Sequence, residues 1–220
     1  MSRPDIIAID GPAATGKSVI GRLLAERMGY RFLDTGTMYR AITWLAMNQG
    51  INPQDEAALA DLALRSDIQV DEKDARVLIN GTSPPLEDQR KEIDKKVSLV
   101  ARVQGVRKAM VKQQQTLAAK GKIVVAGRDI GTVVVPNAPL KLYFQASTQE
   151  RAKRRYQELR DLGHSAEFNR VLEELSARDK LDSERTHSPL RPAADAHIID
   201  SEGLTIEQVL EKILALIGED

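Results

Sequence analysis

The sequence contains no cysteine, which excludes disulfide bonds, thiolate metal sites and a cysteine nucleophile together. It contains three histidines, His164, His187 and His197, whose scattered spacing suits no metal site, so we interpret each as an ordinary surface or packing residue. Aromatic residues make up 4% of the chain, which leaves few side chains on which nucleic-acid bases could stack. Thiol chemistry is therefore excluded, and a nucleic-acid-binding function is disfavoured.

An excess of charge of either sign is also missing. Lysine plus arginine and aspartate plus glutamate each total 32, so no overall basic field attracts nucleic acid or an anionic membrane. No apolar run approaches the roughly 18 residues of a membrane-spanning helix, and the start MSRPD lacks the layout of a signal peptide. We therefore expect a cytoplasmic protein that binds neither nucleic acid nor membrane. Without heptads or an extended apolar edge, we expect a monomer.

The composition and the apolar pattern predict one compact α/β domain of 220 residues. Continuous apolar runs alternate with helical patterns, which predicts a parallel sheet with helices on both faces. Apolar and polar residues alternate on both sides of a charged turn in residues 67–81, which predicts a small antiparallel hairpin inserted as an accessory. Helices are expected at 36–50, at 91–120 with a break near Gln104 and Gly105, and at 149–162, and strands at 5–10, 31–34, 122–127, 140–146 and 196–200.

The stretch GPAATGKSV follows a predicted strand and opens a predicted helix, and its first eight residues match the phosphate-loop pattern G-x-x-x-x-G-K-[ST]. Backbone N–H groups of such a loop converge on phosphate oxygens, and the helix N-terminus adds favourable potential. Lys17 would reach the outer phosphates of ATP, and the Ser18 hydroxyl could ligate Mg²⁺. The predicted ATP-binding residues are Gly11, Pro12, Ala13, Ala14, Thr15, Gly16, Lys17, Ser18 and Val19.

Arginines further along the chain point to a second anion. Asp129 ends an apolar strand, as a magnesium-binding aspartate of a nucleotide switch or motor would, but Arg128 stands directly beside it. A cation at this strand end favours a phosphate acceptor. The spacing of Arg178, Asp182 and Arg185 predicts that all three lie on one helical face. Each of these residues, like Arg40 and Arg107, would by itself be interpreted as a surface ion-pair residue.

These motifs together resemble the bacterial cytidylate kinase family, nearly end to end. The matching stretches are IAIDGPAATGKS, LDTGTMYRA, VSLVARVQGVRKAM, GRDIGTVVVPNAPLKLYFQAS, ERAKRR, RDKLDSERTHSPL and DSEGLTIEQVLEKI. The resemblance implies a P-loop nucleoside monophosphate (NMP) kinase fold and transfer of the γ-phosphoryl group of Mg²⁺-bound ATP to CMP or dCMP. It also implies a core at 1–34, 91–148 and 164–220, an NMP-binding region with its insertion at 35–90, and a short helical lid at 149–163.

The resemblance further implies roles for individual residues in binding CMP. Ser98, Arg107 and Asp129 would lie along the cytosine, whose exocyclic amine and unprotonated N3 require an acceptor beside a donor. The remaining residues implied for CMP are Arg40, Arg128 and Arg185 on the phosphate, Arg178 with Asp182 near the ribose hydroxyls, and Thr35 and Tyr39 lining the pocket.

The lid interpretation makes Arg151, Arg154 and Arg155 catalytic together with Lys17 and Arg128. The lid arginines would move over the bound phosphates, exclude water and stabilise charge on the transferred group. Arg154 is the preferred candidate, since it lies one helical turn from Glu150 and Arg151 and need not pair with the core. A solvated basic helix and a basic nucleic-acid patch are the alternative interpretations of this segment.

Two residues depart from the family pattern. Glycine often stands at the position of Ala14, and a hydroxyl residue often follows the one that Ser18 represents, where this chain has Val19. Val19 cannot supply a second hydroxyl to the metal. Another small-molecule kinase, and a nucleotide-dependent switch protein, remain as alternative functions, although neither explains several arginines converging on a second anion.

Overall fold

The computed structural model describes residues 3–71, 76–86 and 88–218. Its strands are β1 (Ile6–Asp10), β2 (Arg31–Asp34), β3 (Ile68–Val70), β4 (Val77–Ile79), β5 (Ile123–Ala126), β6 (Leu140–Gln145) and β7 (His197–Asp200). Its α-helices are α1 (Lys17–Met28), α2 (Thr35–Asn48), α3 (Glu56–Arg65), α4 (Arg90–Arg102), α5 (Gln104–Ala118), α6 (Thr148–Asp161), α7 (Phe168–Ser183) and α8 (Ile206–Ile217). A π-helical turn spans Ile130–Val134.

Five parallel strands form the central sheet in the order β2-β5-β1-β6-β7. Ala126 at the end of β5 pairs with Ile9 of β1 on one side and with Asp34 of β2 on the other. The carboxyl ends of these strands therefore meet at one edge of the sheet. The phosphate loop, the start of α2 and the segment that follows β5 all lie at this edge. Ligands of open parallel sheets bind at the carboxyl ends of the strands.

Helices cover both faces of the sheet, as the apolar runs predict. Along β1, Ala8 points into a cluster with the buried residues of α2, α3, α4 and α5. Ile7 and Ile9 point the opposite way and pack with α1 and α8. This alternation explains why the strand reads as a continuous apolar run, since both of its faces are buried. The predicted α/β fold class is confirmed.

The predicted antiparallel hairpin is also present, because β3 and β4 pair with Ile68 opposite Ile79. Residues 72–75 of its expected turn lie outside the described residues. Helix α3 is an addition that the sequence analysis did not predict. It crosses α5 so closely that a Cβ built on Gly105 would lie 2.3 Å from the Cβ of Ala60.

The start of α2 and the end of α7 differ from their expected places, whereas the predicted break near Gln104 and Gly105 is present. Helix α2 starts directly after Asp34, whose carboxylate accepts the Gly36 N–H and so caps the helix at its first turn. The break between α4 and α5 falls at Val103, which has an extended backbone conformation. The prediction that Arg185 shares a helical face with Asp182 was wrong, because α7 ends at Ser183. Among the described residues, no helix has the length and apolar character needed to cross a membrane.

Candidate active site

The phosphate loop runs from the end of β1 to the start of α1, and its backbone depends on glycine. Gly11 has φ 144° and lies so close to β6 that an added Cβ would stand 2.3 Å from the Phe144 carbonyl oxygen. Gly16 has φ 90° and directly precedes the helix. Ala14 has φ 60°, in the left-handed region that disfavours residues with a side chain, so its methyl group strains the loop. The loop has the form of a phosphate cradle despite this strain.

Lys17 is held inside the loop. Its side chain donates hydrogen bonds to the Pro12 carbonyl and to Thr15 Oγ1, the latter at 3.1 Å, and the residue is only 6% exposed. Burial lowers the pKa of Lys17 well below its ordinary value, and the positive charge of Arg128 lowers it further. An anion bound in the loop would favour the charged form of this lysine.

Ser18, the predicted metal ligand, meets a carboxylate that sequence reasoning missed. Ser18 Oγ donates to Asp34 Oδ2 at 2.6 Å, across the gap between α1 and the end of β2. A hydroxyl beside a carboxylate offers oxygen ligands of the kind that Mg²⁺ prefers. Asp34 could have been noticed as an acidic residue at a strand end of the ligand-binding edge. Among the described residues, no group of three or more metal-ligating side chains is preassembled.

Asp10 is a second carboxylate that the sequence analysis did not select. It is 3% exposed at the end of β1, and its two oxygens accept the backbone N–H groups of Ile130 and Gly131, both at 2.7 Å. Burial raises the pKa of Asp10 to about 6, against the opposing effect of these two hydrogen bonds. Asp10 therefore fixes the segment after β5, and with it the positions of Arg128 and Asp129.

Arg107 and Asp129 form a buried ion pair, each residue being 4% exposed. Arg107 comes from α5, and its guanidinium lies 5.5 Å from the ring centre of Tyr39 on α2. Among the described residues, Arg107 Nε is buried without a hydrogen-bond partner, whereas the Tyr39 hydroxyl lies beside the Gln114 side chain of α5. Thr35 donates to the Ala126 carbonyl at 2.9 Å, while Ser98 is half-buried on α4.

Asp182 is the centre of the predicted arginine set. It is 1% exposed and accepts from Arg128 Nε at 2.9 Å and from Arg185. Burial alone would raise the pKa of Asp182, but the charges of Arg128, Arg185 and Arg178 outweigh it and hold that pKa below its ordinary value. Burial, together with the charges of Arg128 and Arg40, lowers the pKa of Arg178 to about 10. The structure thus brings together four arginines that repel one another, an arrangement suited to a bound anion.

The lid arginines lie on α6, and each is engaged. Arg151 is 3% exposed, donates to the Ala13 carbonyl of the phosphate loop at 3.2 Å and pairs with Asp179 at 2.6 Å. Arg154 donates to the Ser201 hydroxyl at 3.1 Å and to the Ser201 carbonyl at 2.6 Å. Arg154 did not need a partner in the core by the sequence analysis, but in the structure it has one. Its long side chain reaches the loop after β7, a contact between residues far apart in the sequence.

Arg155 points toward α4. It donates to Glu158 at 2.8 Å and to Asp94 of α4 at 3.2 Å. Arg40, on α2, donates through Nε to the same Asp94 at 3.2 Å. Helix α6 is therefore tied to the phosphate loop by Arg151 and to α4 by Arg155.

Comparisons with known proteins give both a family and a fold. A family model described as cytidylate kinase matches residues 7–219. A cytidylate kinase of Bacillus subtilis (strain 168) is 47% identical over 215 residues, which cover 97% of this chain and 96% of that protein. A cytidylate kinase of Roseiflexus castenholzii is 43% identical over 226 residues, covering 100% of this chain and 96% of that protein.

Among solved structures, an uncharacterized protein from Eubacterium ventriosum has a TM-score of 0.53 at 13% identity, covering 98% of this chain and 99% of that one. A shikimate kinase from Bacteroides thetaiotaomicron has a TM-score of 0.50 at 10% identity, covering 97% of this chain and 98% of that one. At these identities the two structures are alike in fold alone.

Proposed function

We propose residue roles for a chain that belongs to the cytidylate kinase family and transfers the γ-phosphoryl group of ATP to CMP or dCMP. The products are ADP and CDP or dCDP, which places the enzyme in pyrimidine nucleotide metabolism. The donor ATP binds the loop from Gly11 to Val19, and the acceptor binds the pocket between α2, α5 and α7.

The arginine cluster is the single observation that carries the acceptor site. Burial, and then the charges of Arg128 and Arg40, lower the pKa of Arg178. Burial also lowers the pKa of Arg185, with Arg107 and Arg128 acting in the same direction and Asp182 against it. An acceptor phosphate carries nearly two negative charges near pH 7 and can bind several guanidiniums bidentately. Each such contact is worth about 1.5–3 kcal/mol. Repulsion between these arginines lowers the stability of the empty protein, and the phosphate of CMP would reduce that repulsion.

The buried Arg107–Asp129 pair is proposed to read the cytosine. The carboxylate accepts from the exocyclic amine, and the guanidinium donates to the unprotonated N3 or to the carbonyl oxygen. Uracil presents the opposite pattern at the first two positions, so it would leave buried polar groups unpaired. Arg107 Nε, which has no hydrogen-bond partner among the described residues, supports a polar ligand at this place. Thr35 and Ser98 complete the proposed pocket.

Mg²⁺ fits the residues present at the donor site. Ser18 Oγ would bind the ion, and Asp34, 2.6 Å from that hydroxyl, would orient it or hold a coordinated water. When bound with ATP, the ion neutralises phosphate charge. Val19 is 49% exposed and has no hydroxyl, so the protein offers few direct ligands here. We therefore expect most of the metal's contacts to come from the nucleotide and from water.

The reaction is an in-line attack by the CMP phosphate oxygen on the γ-phosphorus of ATP. The acceptor oxygen is already anionic near pH 7, so no strong base and no covalent intermediate are needed. Catalysis then consists of positioning and charge stabilisation by Lys17, Arg128 and the lid arginines. Arg154 would have to leave Ser201, and Arg155 would have to leave Glu158 or Asp94, before either could reach the transferred group.

The test is ADP production from Mg²⁺-ATP with CMP, dCMP, UMP, AMP, GMP or shikimate, each against a blank without acceptor. Turnover led by CMP and dCMP is the expected result. Equal ADP production in the blank would show hydrolysis and remove the acceptor role of the arginine cluster. Shikimate serves as the control for the fold, since a kinase of similar fold acts on it. We also propose that the enzyme acts as a monomer, without nucleic acid or membrane, in the cytoplasm.

A further inference from the structure

Asp94 of α4 is a carboxylate to which the proposed reaction assigns no role, yet three arginines converge on it. Its Oδ1 accepts from Arg40 Nε and its Oδ2 from Arg155 Nη2, each at 3.2 Å. Arg90 Nε stands 3.7 Å from Oδ2, one helical turn away on α4. The Asp94 side chain is 20% exposed, so these contacts are partly shielded from water. Ion pairs in such a place are stronger than exposed ones.

The contact with Arg40 involves a particular edge of the guanidinium. Asp94 takes Nε, whereas Nη1 lies 3.1 Å from the place where a Cβ on Gly36 would stand, over the first turn of α2. That turn follows directly from the sheet edge at which the phosphate loop begins. Nη1 of Arg40 therefore lies over the first turn of α2, and because Asp94 takes Nε, the two Nη atoms can still bind an anion bidentately.

The same arrangement occurs at a second acceptor arginine. Asp182 accepts from Arg128 Nε at 2.9 Å, as Asp94 accepts from Arg40 Nε. Arg40 and Arg128 are thus each held through Nε by a mostly buried carboxylate, whereas Asp182 holds Arg185 through Nη2. Burial would raise the pKa of Asp94, but the charges of Arg40, Arg178, Arg155 and Arg90 hold it below its ordinary value, so the carboxylate stays ionised near neutral pH.

Asp94 also belongs to an ion-pair network that joins α4 to α6. Arg155 pairs with Asp94 and with Glu158, the latter at 2.8 Å. Arg90 pairs with the same Glu158 at 3.0 Å. The lid helix is therefore connected to α4 through two carboxylates and two arginines, and Asp94 is the member that also reaches the acceptor arginine.

We propose that Asp94 is a positioning residue for phosphoryl transfer, which orients Arg40 toward the acceptor phosphate and anchors Arg155 of the lid on the same carboxylate. This inference rests on the proposed function and deepens it. Because Asp94 acts through Arg40, its loss should weaken the handling of CMP more than that of ATP. Because Arg155 shares the carboxylate, the NMP-binding side and the lid are coupled at this point.

The test compares Asp94→Asn with Asp94→Glu and with Asp61→Asn. Asp61 pairs with Arg65 on α3, but its side chain is 61% exposed, so it is a matched control for the loss of one helical carboxylate. For Asp94→Asn we expect the KM for CMP to rise about tenfold relative to the KM for ATP, as one charge-assisted hydrogen bond is lost. Asp94→Glu should recover part of this loss, and Asp61→Asn should change neither KM.

A double-mutant cycle with Arg40→Lys separates positioning from a merely structural role. If Asp94 acts through Arg40, then Asp94→Asn should add little to the KM for CMP once Arg40 is lysine. The inference would be overturned if the two substitutions multiplied the KM for CMP independently, or if Asp94→Asn left that KM unchanged or lowered it. A parallel rise of the KM values for CMP and ATP with a fall in Tm would also overturn it. If the unmodified enzyme shows no CMP-dependent ADP production, the proposed function fails instead, so the two failures are distinguishable.

Discussion

Replacing Asp10 by asparagine should remove one component of the pH dependence of the free energy of unfolding. Burial at the end of β1 raises the pKa of Asp10 from 3.8 to about 6. A carboxyl group whose pKa is raised by folding stabilises the protein below its unfolded pKa, and that stabilisation is lost as the pH rises through the folded pKa. Since each pH unit between these two values corresponds to about 1.36 kcal/mol, the loss amounts to about 3 kcal/mol.

The assay is urea-induced unfolding of both chains at several pH values from about 4 to about 7.5, at one ionic strength. Both chains share all other titrating groups, so the difference between their free energies of unfolding isolates Asp10. We expect the advantage of the aspartate over the asparagine to shrink by about 2.5 kcal/mol across this range, since part of the loss already falls below pH 4. A constant difference would refute the reasoning. Should the variant fail to fold, NMR titration of Asp10 in the unmodified protein gives the same answer, and an ordinary carboxyl pKa would contradict it.

Three further substitutions test the donor loop, the base reader and the packing. Lys17→Ala should lower kcat by at least about 10²–10³-fold, with an unchanged circular dichroism spectrum, because a charge that stabilises the transferred group is lost; substantial residual activity would show that the loop is not the donor site. Asp129→Asn should reduce the preference for CMP over UMP in competition assays. It should also destabilise the fold by about 3 kcal/mol, since Arg107 loses its buried partner. An unchanged preference would show that Asp129 does not recognise the cytosine. Gly105→Ala should cost about 1–3 kcal/mol in urea unfolding, because the new methyl group would lie 2.3 Å from Ala60; a neutral result would mean that α3 and α5 separate readily.

The sheet and its helices were predictable because their signals are local. The fully apolar β5, with all four residues buried, could only be an inner strand of a covered sheet. The alternation around Ile68 and Ile79 likewise marked the hairpin. Helix α3 was missed, since the segment between Gly50 and Ser66 carries few strong signals, and its place depends on a close approach to Gly105 that only tertiary packing reveals.

The candidate site divides in the same way. The arginines and the phosphate loop are recognisable by residue type and spacing, since such residues typically bind anions. Asp10, Asp34 and Asp94 were not selected, because an isolated aspartate is most often a surface or capping residue. Their importance comes from partners distant in sequence: Asp10 holds Ile130 and Gly131, 120 and 121 residues away. The reach of Arg154 to Ser201, 47 residues on, was unpredictable for the same reason.

Asp94 and Asp182 reduce the electrostatic repulsion within the arginine cluster. Guanidiniums gathered for a phosphate repel one another while the phosphate is absent, and burial intensifies the repulsion. Asp94 and Asp182 offset part of it. Asp94 meets Arg40 and Asp182 meets Arg128 through Nε, whereas Asp182 meets Arg185 through Nη2. Under the proposed function, a bound phosphate could therefore contact Arg40 without displacing Asp94 from Nε, but it would compete with Asp182 for Nη2 of Arg185.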